Sequence, residues 1–133
     1  MITTQGVYHI GIPVNNMDRA VKFYTEILGM KPTRTGKDDM GKILAREELT
    51  SGDSIVVLFQ RPKPMDRDVV EEDGASHQAF HVSDEDFDLA ATKMKDWGVK
   101  IHTVPTVDRG ALGRGMYFFD SEGNLLQLYA RPK

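Results

Sequence analysis

The sequence predicts an α+β fold in which two βαβββ repeats form curved mixed sheets around a cleft, with the helices on the outer face. Three observations carry this. A strand-like segment rich in β-branched and aromatic residues gives way to an amphipathic segment of helical period, and further strand-like segments follow. The succession occurs twice at a nearly constant offset: His77 minus His9 is 68, Val82 minus Val14 is 68 and Gly98 minus Gly29 is 69. The chain of 133 residues, 40% hydrophobic and 28% charged, has the ordinary composition of one domain, 1–133, burying roughly two-thirds of its unfolded surface.

Repeat one is expected over about 6–60. Residues 6–14, Gly-Val-Tyr-His-Ile-Gly-Ile-Pro-Val, read as a strand. Met17, Ala20, Val21, Tyr24, Ile27 and Leu28 then recur at helical spacing, with Asn15 or Asn16 as N-cap and Gly29 in the place of a C′ glycine, so a helix is expected over 17–28. Strands follow near 30–35, 42–49 and 54–60, the last entered through the turn Ser51-Gly52-Asp53.

A linker over about 61–75 carries Pro62, Pro64, Glu71 and Glu72. Repeat two, about 76–131, opens on the strand His77–Val82. Ser83 is placed to cap a helix, with Asp86 three residues on, and Phe87, Ala90, Ala91, Met94 and Trp97 form its apolar stripe up to Gly98. Strands near 99–104, 115–119 and 125–130 complete eight, the last two joined by Asp120-Ser121-Glu122-Gly123-Asn124.

Composition removes several function classes. With no Cys, disulfides, thiolate nucleophiles and Cys-based metal centres are excluded. Any metal would be held by His, carboxylate or amide oxygen. The net charge of −3 and dispersed basic residues leave no footprint for nucleic acid. No apolar run approaches the roughly 18 residues of a membrane span, and no secretory signal opens the chain, so a cytoplasmic protein without membrane contact is expected.

Strand period two sorts the faces. Tyr8, Ile10, Ile12 and Val14 are expected to meet the first helix, sending His9, Gly11 and Pro13 to the cleft. Phe80 and Val82 turn to the second helix, leaving His77, Ala79 and His81 on the cleft side. In the last strand Gln127 and Tyr129 share that side.

These residues also carry a resemblance. Tyr8-His9-Ile10-Gly11-Ile12 followed by Asn16–Tyr24, the strand opening at His77, and Tyr117–Leu128 resemble the vicinal oxygen chelate superfamily, which includes glyoxalase I, fosfomycin-resistance enzymes, extradiol dioxygenases and bleomycin-resistance proteins. The resemblance spans nearly the whole chain. It is specific for fold and weak for reaction, because one scaffold hosts many activities. In metal-binding members a His on the first strand, a His on the fifth and a Glu on the last hold the ion, with a further Glu on the fourth in glyoxalases. By position these are His9, His77, Gln127 and Val57. Both histidines are retained and both carboxylates are not.

The resemblance therefore implies a divalent ion, Fe, Mn, Ni or Zn, on His9, His77 and Gln127, or a cleft with no metal. An ion on neutral donors would keep its full charge, a stronger Lewis acid but a weaker-bound ion. For Gln127 two readings stand, amide ligand or cleft-lining amide. His81 is a candidate general base or substrate contact, since an imidazole pKa of about 6.5 suits proton transfer near neutrality.

Arg109 and Arg114, in the glycine-rich segment 108–115, can reach a substrate carboxylate or phosphonate or lie in a solvated loop. Phe59, Tyr117, Phe119 and Tyr129 are apolar walls or simply core. The acidic runs Glu47-Glu48 and Glu71-Glu72-Asp73 read as solvated surface, and His102 as a partly exposed strand residue.

Two functions compete. One is a metal-assisted lyase, isomerase, transferase or dioxygenase acting on a substrate that chelates through neighbouring oxygens. Glyoxalase I proper is disfavoured, because Val57 and Gln127 cannot exchange a proton. The other is a metal-free binding protein of the bleomycin-resistance kind; an inert scaffold is a weaker third. A small-molecule partner and a homodimer are implied by the resemblance.

Overall fold

Ile12 and Val14 alternate with polar or small neighbours, and they form the buried side of the first strand, β1 (His9–Val14). The computed structural model describes residues 1–33, 45–64, 76–102 and 113–132. The chain divides into two compact units, Met1–Met65 and Asp66–Lys133, each holding one repeat.

In the first unit β1 leads into α1 (Met17–Glu26), whose N-cap Asn16 accepts a hydrogen bond from the Arg19 amide at 3.0 Å. A second orphan donor, the Met17 amide, is satisfied by Gln60 Oε1 at 3.2 Å. Gly29, at φ 66, turns the chain so that the Met30 amide reaches back to the Tyr24 carbonyl, burying Met30. Three strands follow: β2 (Lys31–Pro32), β3 (Arg46–Ser51) and β4 (Ser54–Gln60). The sheet order is β1-β4-β3-β2, with β1 parallel to β4 and the other pairs antiparallel. Met17, Ala20 and Tyr24 pack on the side of Ile12, Val14, Leu49, Val56 and Leu58, all at most 7% exposed. Burying each large aliphatic side chain is worth about 1.5–3 kcal/mol.

The second unit repeats the plan with β5 (Gln78–His81), α2 (Asp84–Lys93), β6 (Arg114–Phe119) and β7 (Leu125–Ala130), in the order β5-β7-β6. The Ser83 hydroxyl caps α2 by accepting from the Asp86 amide at 3.1 Å. Gly98, at φ 80, does for Val99 what Gly29 does for Met30, and the Val99 amide returns to the Met94 carbonyl. Phe87, Ala90 and Met94 are buried on the side of Met116, Phe118, Leu126 and Leu128. The chain is thus a mixed α+β protein with a four-stranded and a three-stranded mixed sheet, each carrying one helix.

Several expectations are corrected. The first strand begins at His9, where its ladder with β4 begins, so nothing directs Tyr8 toward α1; it is 81% exposed, its ring edge-on to His9. The second strand is Lys31–Pro32, with the Thr33 amide reaching the Glu48 carbonyl at 2.9 Å beyond it, and 34–35 lies outside the described residues. The third strand is Arg46–Ser51, running two residues past the expected end, and 42–44 lies outside the described residues. The first helix stops at Glu26, with Ile27 as its C-cap. Trp97 lies beyond the end of α2 and is 46% exposed, and Ala91 also faces solvent. Among the described residues the strand expected near 99–104 is a single bridge, Ile101 to Phe118, flanked by bonds between Phe119 and Lys100 and between His102 and Tyr117. It occupies the place on β6 that β2 occupies on β3. Of the expected linker, 61–64 is exposed and 65–75 lies outside the described residues.

Candidate functional site

Register places His9, His81, Phe59, Tyr117, Gln127 and Tyr129 on the sheet face away from the helix of their unit. In the first unit β1 and β4 pair Gly11 with Val57 and Pro13 with Phe59, while β4 and β3 pair Val57 with Glu48 and Phe59 with Arg46. Directly paired residues share a face. His9, Gly11 and Pro13 therefore stand in rows with Ile55, Val57 and Phe59, and these with Thr50, Glu48 and Arg46. His9 is exposed, and the Phe59 ring lies so close over Gly11 that a Cβ there would be 3.0 Å from Cε2.

In the second unit Ala79, Gln127 and Tyr117 form one row, and His81, Tyr129 and Gly115 the next. His77, one residue before β5, stands beside the row of Leu125 and Phe119. Its ring meets the Tyr117 ring edge-on, centroids 5.1 Å apart. His77 and Tyr117 are thus in ring contact, with Gln127 opposite Tyr117 on β7. His81 is exposed at the end of β5, and Tyr129 is half-buried.

Gln127 is the anomaly of this face. It is only 9% exposed, yet its amide makes no hydrogen bond among the described residues. A buried amide without a partner costs about 1–3 kcal/mol. Such a cost is expected where a ligand completes the group.

Arg114 departs from expectation. It opens β6 on the opposite side, paired with Ala130, and its guanidinium bridges Asp84 and Asp88 of α2 at 2.6 Å each while lying 4.6 Å from the Phe87 ring centre. The bonds to Asp88 and Asp84 hold its pKa above the ordinary value. With its guanidinium engaged by the Asp84 and Asp88 carboxylates of α2, this arginine ties the helix to the sheet. Arg109 lies outside the described residues.

The acidic pair Glu47-Glu48 departs from the expected solvated surface. Glu48 was read as solvated surface, but it is half-buried on the face of His9, its carboxylate 3.4 Å from the Thr33 hydroxyl. Assigning the strand to 46–51 with Leu49 inward would have revealed its direction. Its neighbour Glu47 faces α1, is 7% exposed, and has its carboxyl pKa raised by burial. His102, held to the Tyr117 carbonyl through its amide, sets its ring 5.5 Å from that of Phe119 and 6.5 Å from that of Tyr117.

Among the described residues no three His, Asp or Glu side chains cluster tightly enough to hold a metal ion. The expected donors stand apart in the chain, the imidazole of His9 in the first unit and, in the second, the imidazole of His77 and the amide of Gln127. Neutral nitrogen and oxygen donors suit Fe, Mn, Ni or Zn.

The family model of the Glyoxalase/Bleomycin resistance protein/Dioxygenase superfamily matches residues 6–128. The chain belongs to this superfamily. Within the superfamily it is similar to the glutathione transferase FosA of Serratia marcescens, 28% identical over 130 residues, 94% of this chain and 80% of FosA. It is similar to the fosfomycin resistance protein FosX of Listeria monocytogenes, 27% identical over 127 residues, 94% of this chain and 89% of FosX. Among solved structures, a glyoxalase/dioxygenase from Nostoc punctiforme matches with a TM-score of 0.77 at 26% identity, covering 97% of this chain and 92% of that one. The superfamily spans transferases and dioxygenases, so membership sets the fold and the general small-molecule chemistry and leaves the reaction to the site.

Proposed function

We propose that this chain is a metal-assisted enzyme acting on a small molecule that presents neighbouring oxygens. The observation that carries this reading is Gln127, buried on the sheet face of Tyr117 and next to the His77–Tyr117 ring pair, with an amide that makes no hydrogen bond among the described residues. His9 and His77 would hold the ion as neutral imidazoles, with Gln127 either completing the set or meeting the substrate. A bound divalent ion supplies Lewis acidity toward the two oxygens.

The chain's own groups do the rest. His81, exposed at the strand end, is the residue placed to take a proton from the substrate and return it. Phe59, Tyr117 and Tyr129 wall the substrate, and Arg109 is the remaining candidate for an anionic substituent. Group transfer is favoured within the class by the similarity to a glutathione transferase over 94% of this chain. The family match over residues 6–128 supports reading the two units as halves of one domain, and we extend the reading to a cytoplasmic homodimer.

The test is metal content by plasma mass spectrometry after dialysis against trace Fe, Mn, Ni and Zn. About one ion per chain is expected in the unaltered protein, with loss in His9→Ala and His77→Ala. Metal-free protein in every case would instead support a binding protein of the bleomycin-resistance kind. The absence of a three-residue His, Asp or Glu cluster among the described residues favours that second reading.

A further inference from the structure

Gln127 has two directions open to it along the sheet face, toward the row of His77 and Phe119 or toward the row of His81, Tyr129 and Gly115. It takes the second. A Cβ on Gly115 would lie 2.6 Å from Gln127 Nε2, 3.7 Å from its Cδ and 3.8 Å from the Tyr129 ring. The amide therefore fills the space where residue 115 has no side chain. Gly115 is not among the glycines at positive φ, so its backbone does not require glycine. A glycine inside a strand marks close approach of another group, and here that group is the Gln127 amide. Tyr117, directly opposite Gln127, has its ring against His77 instead. The ring and the amide diverge, and the imidazole stands on the ring's side.

From this divergence we infer that Gln127 is a substrate-contacting residue, not a metal ligand, and that Gly115 is the positioning residue that seats its amide. The inference refines the proposed function and rests on its small-molecule site. The Gln127 amide, buried with no hydrogen bond among the described residues, needs an acceptor for its NH2 and a donor for its carbonyl oxygen. A hydroxyl beside a carboxylate or carbonyl oxygen supplies both, so the ligand class is an α-hydroxy acid or α-hydroxy carbonyl compound. The approach is open, because Ala79, opposite Gln127 on β5, is small and exposed, and His81 in the next row is exposed and makes no side-chain hydrogen bond among the described residues.

The experiment uses the full chain labelled with 15N and two probes applied separately, Zn2+ and glycolate. Glycolate is expected to shift the side-chain NH2 resonances of Gln127, and Zn2+ the imidazole resonances of His77 without moving that NH2 pair. Gln127→Ala should leave Zn2+ affinity within about threefold while weakening glycolate at least tenfold. Gly115→Ala should displace the Gln127 resonances in the free protein and weaken glycolate similarly, with Zn2+ affinity kept. A tenfold loss of Zn2+ affinity in Gln127→Ala would overturn the inference, as would glycolate leaving the Gln127 resonances unmoved or Gly115→Ala binding glycolate normally. A protein that binds glycolate through Gln127 but no Zn2+ would support the inference while the metal-assisted reading fails.

Discussion

Glu47 and Gln127 are both buried polar side chains on strands, and their surroundings give them opposite meanings. Glu47 faces the helix side of β3, where α1 and the apolar side of the sheet meet, and burial raises its carboxyl pKa. A carboxyl whose folded pKa exceeds its unfolded value binds its proton more tightly when folded, so its contribution to stability is greatest at acid pH. That contribution falls as pH rises through the unfolded value toward the folded one. Glu47→Gln should therefore raise the denaturation midpoint at pH 7, with the gain vanishing below the ordinary carboxyl range. Paired chemical denaturation at pH 7 and pH 4 checks this, and an equal gain at both would remove burial of charge as the cause. Asp120 is the contrasting buried carboxylate, fully engaged by the amides of Glu122 and Asn124 and the Asn124 side chain at 2.8–2.9 Å. Charge-assisted bonds of this kind are worth about 1.5–3 kcal/mol each, and since such effects are not additive Asp120→Ala is expected to cost about 3 kcal/mol, read from urea unfolding.

At the scale of elements, much was legible. Asn16 and Ser83 as caps, Gly29 and Gly98 as helix terminators, and the turn from Asp120 to Asn124 are local devices whose chemistry lies within a few residues of sequence. Element ends that depend on a partner strand were less so. Tyr8 and Trp97 each continue an apolar pattern one step past the point where a ladder or helix stops, and both are exposed. Arg114 shows the same dependence. Its glycine-rich surroundings read as a loop, but register puts it at the start of β6 and within reach of Asp84 and Asp88 on α2. Arg114→Ala should lower the thermal midpoint modestly, by less in high salt, because partly exposed ion pairs are screened. It should leave metal content unchanged. A lost metal signal would put Arg114 back among the site residues.

For the whole molecule, the proposed homodimer predicts a sedimentation-equilibrium mass twice that of the chain, and a monomer mass at micromolar concentration would refute it. The sequence by itself determined the recurrence of a strand, a helix and further strands, and within a strand which alternating residues share a face, because these follow from periodicity and local capping. Superfamily membership rested on the same local patterns. Tertiary structure alone decided what those residues do on their faces. Pairing register set Glu48 beside Val57, turned Arg114 to the helix side, and let the Gln127 amide settle over Gly115 away from His77. These outcomes depend on strands distant in sequence coming within one hydrogen bond of each other, and no local pattern encodes which side chain then finds space or a partner.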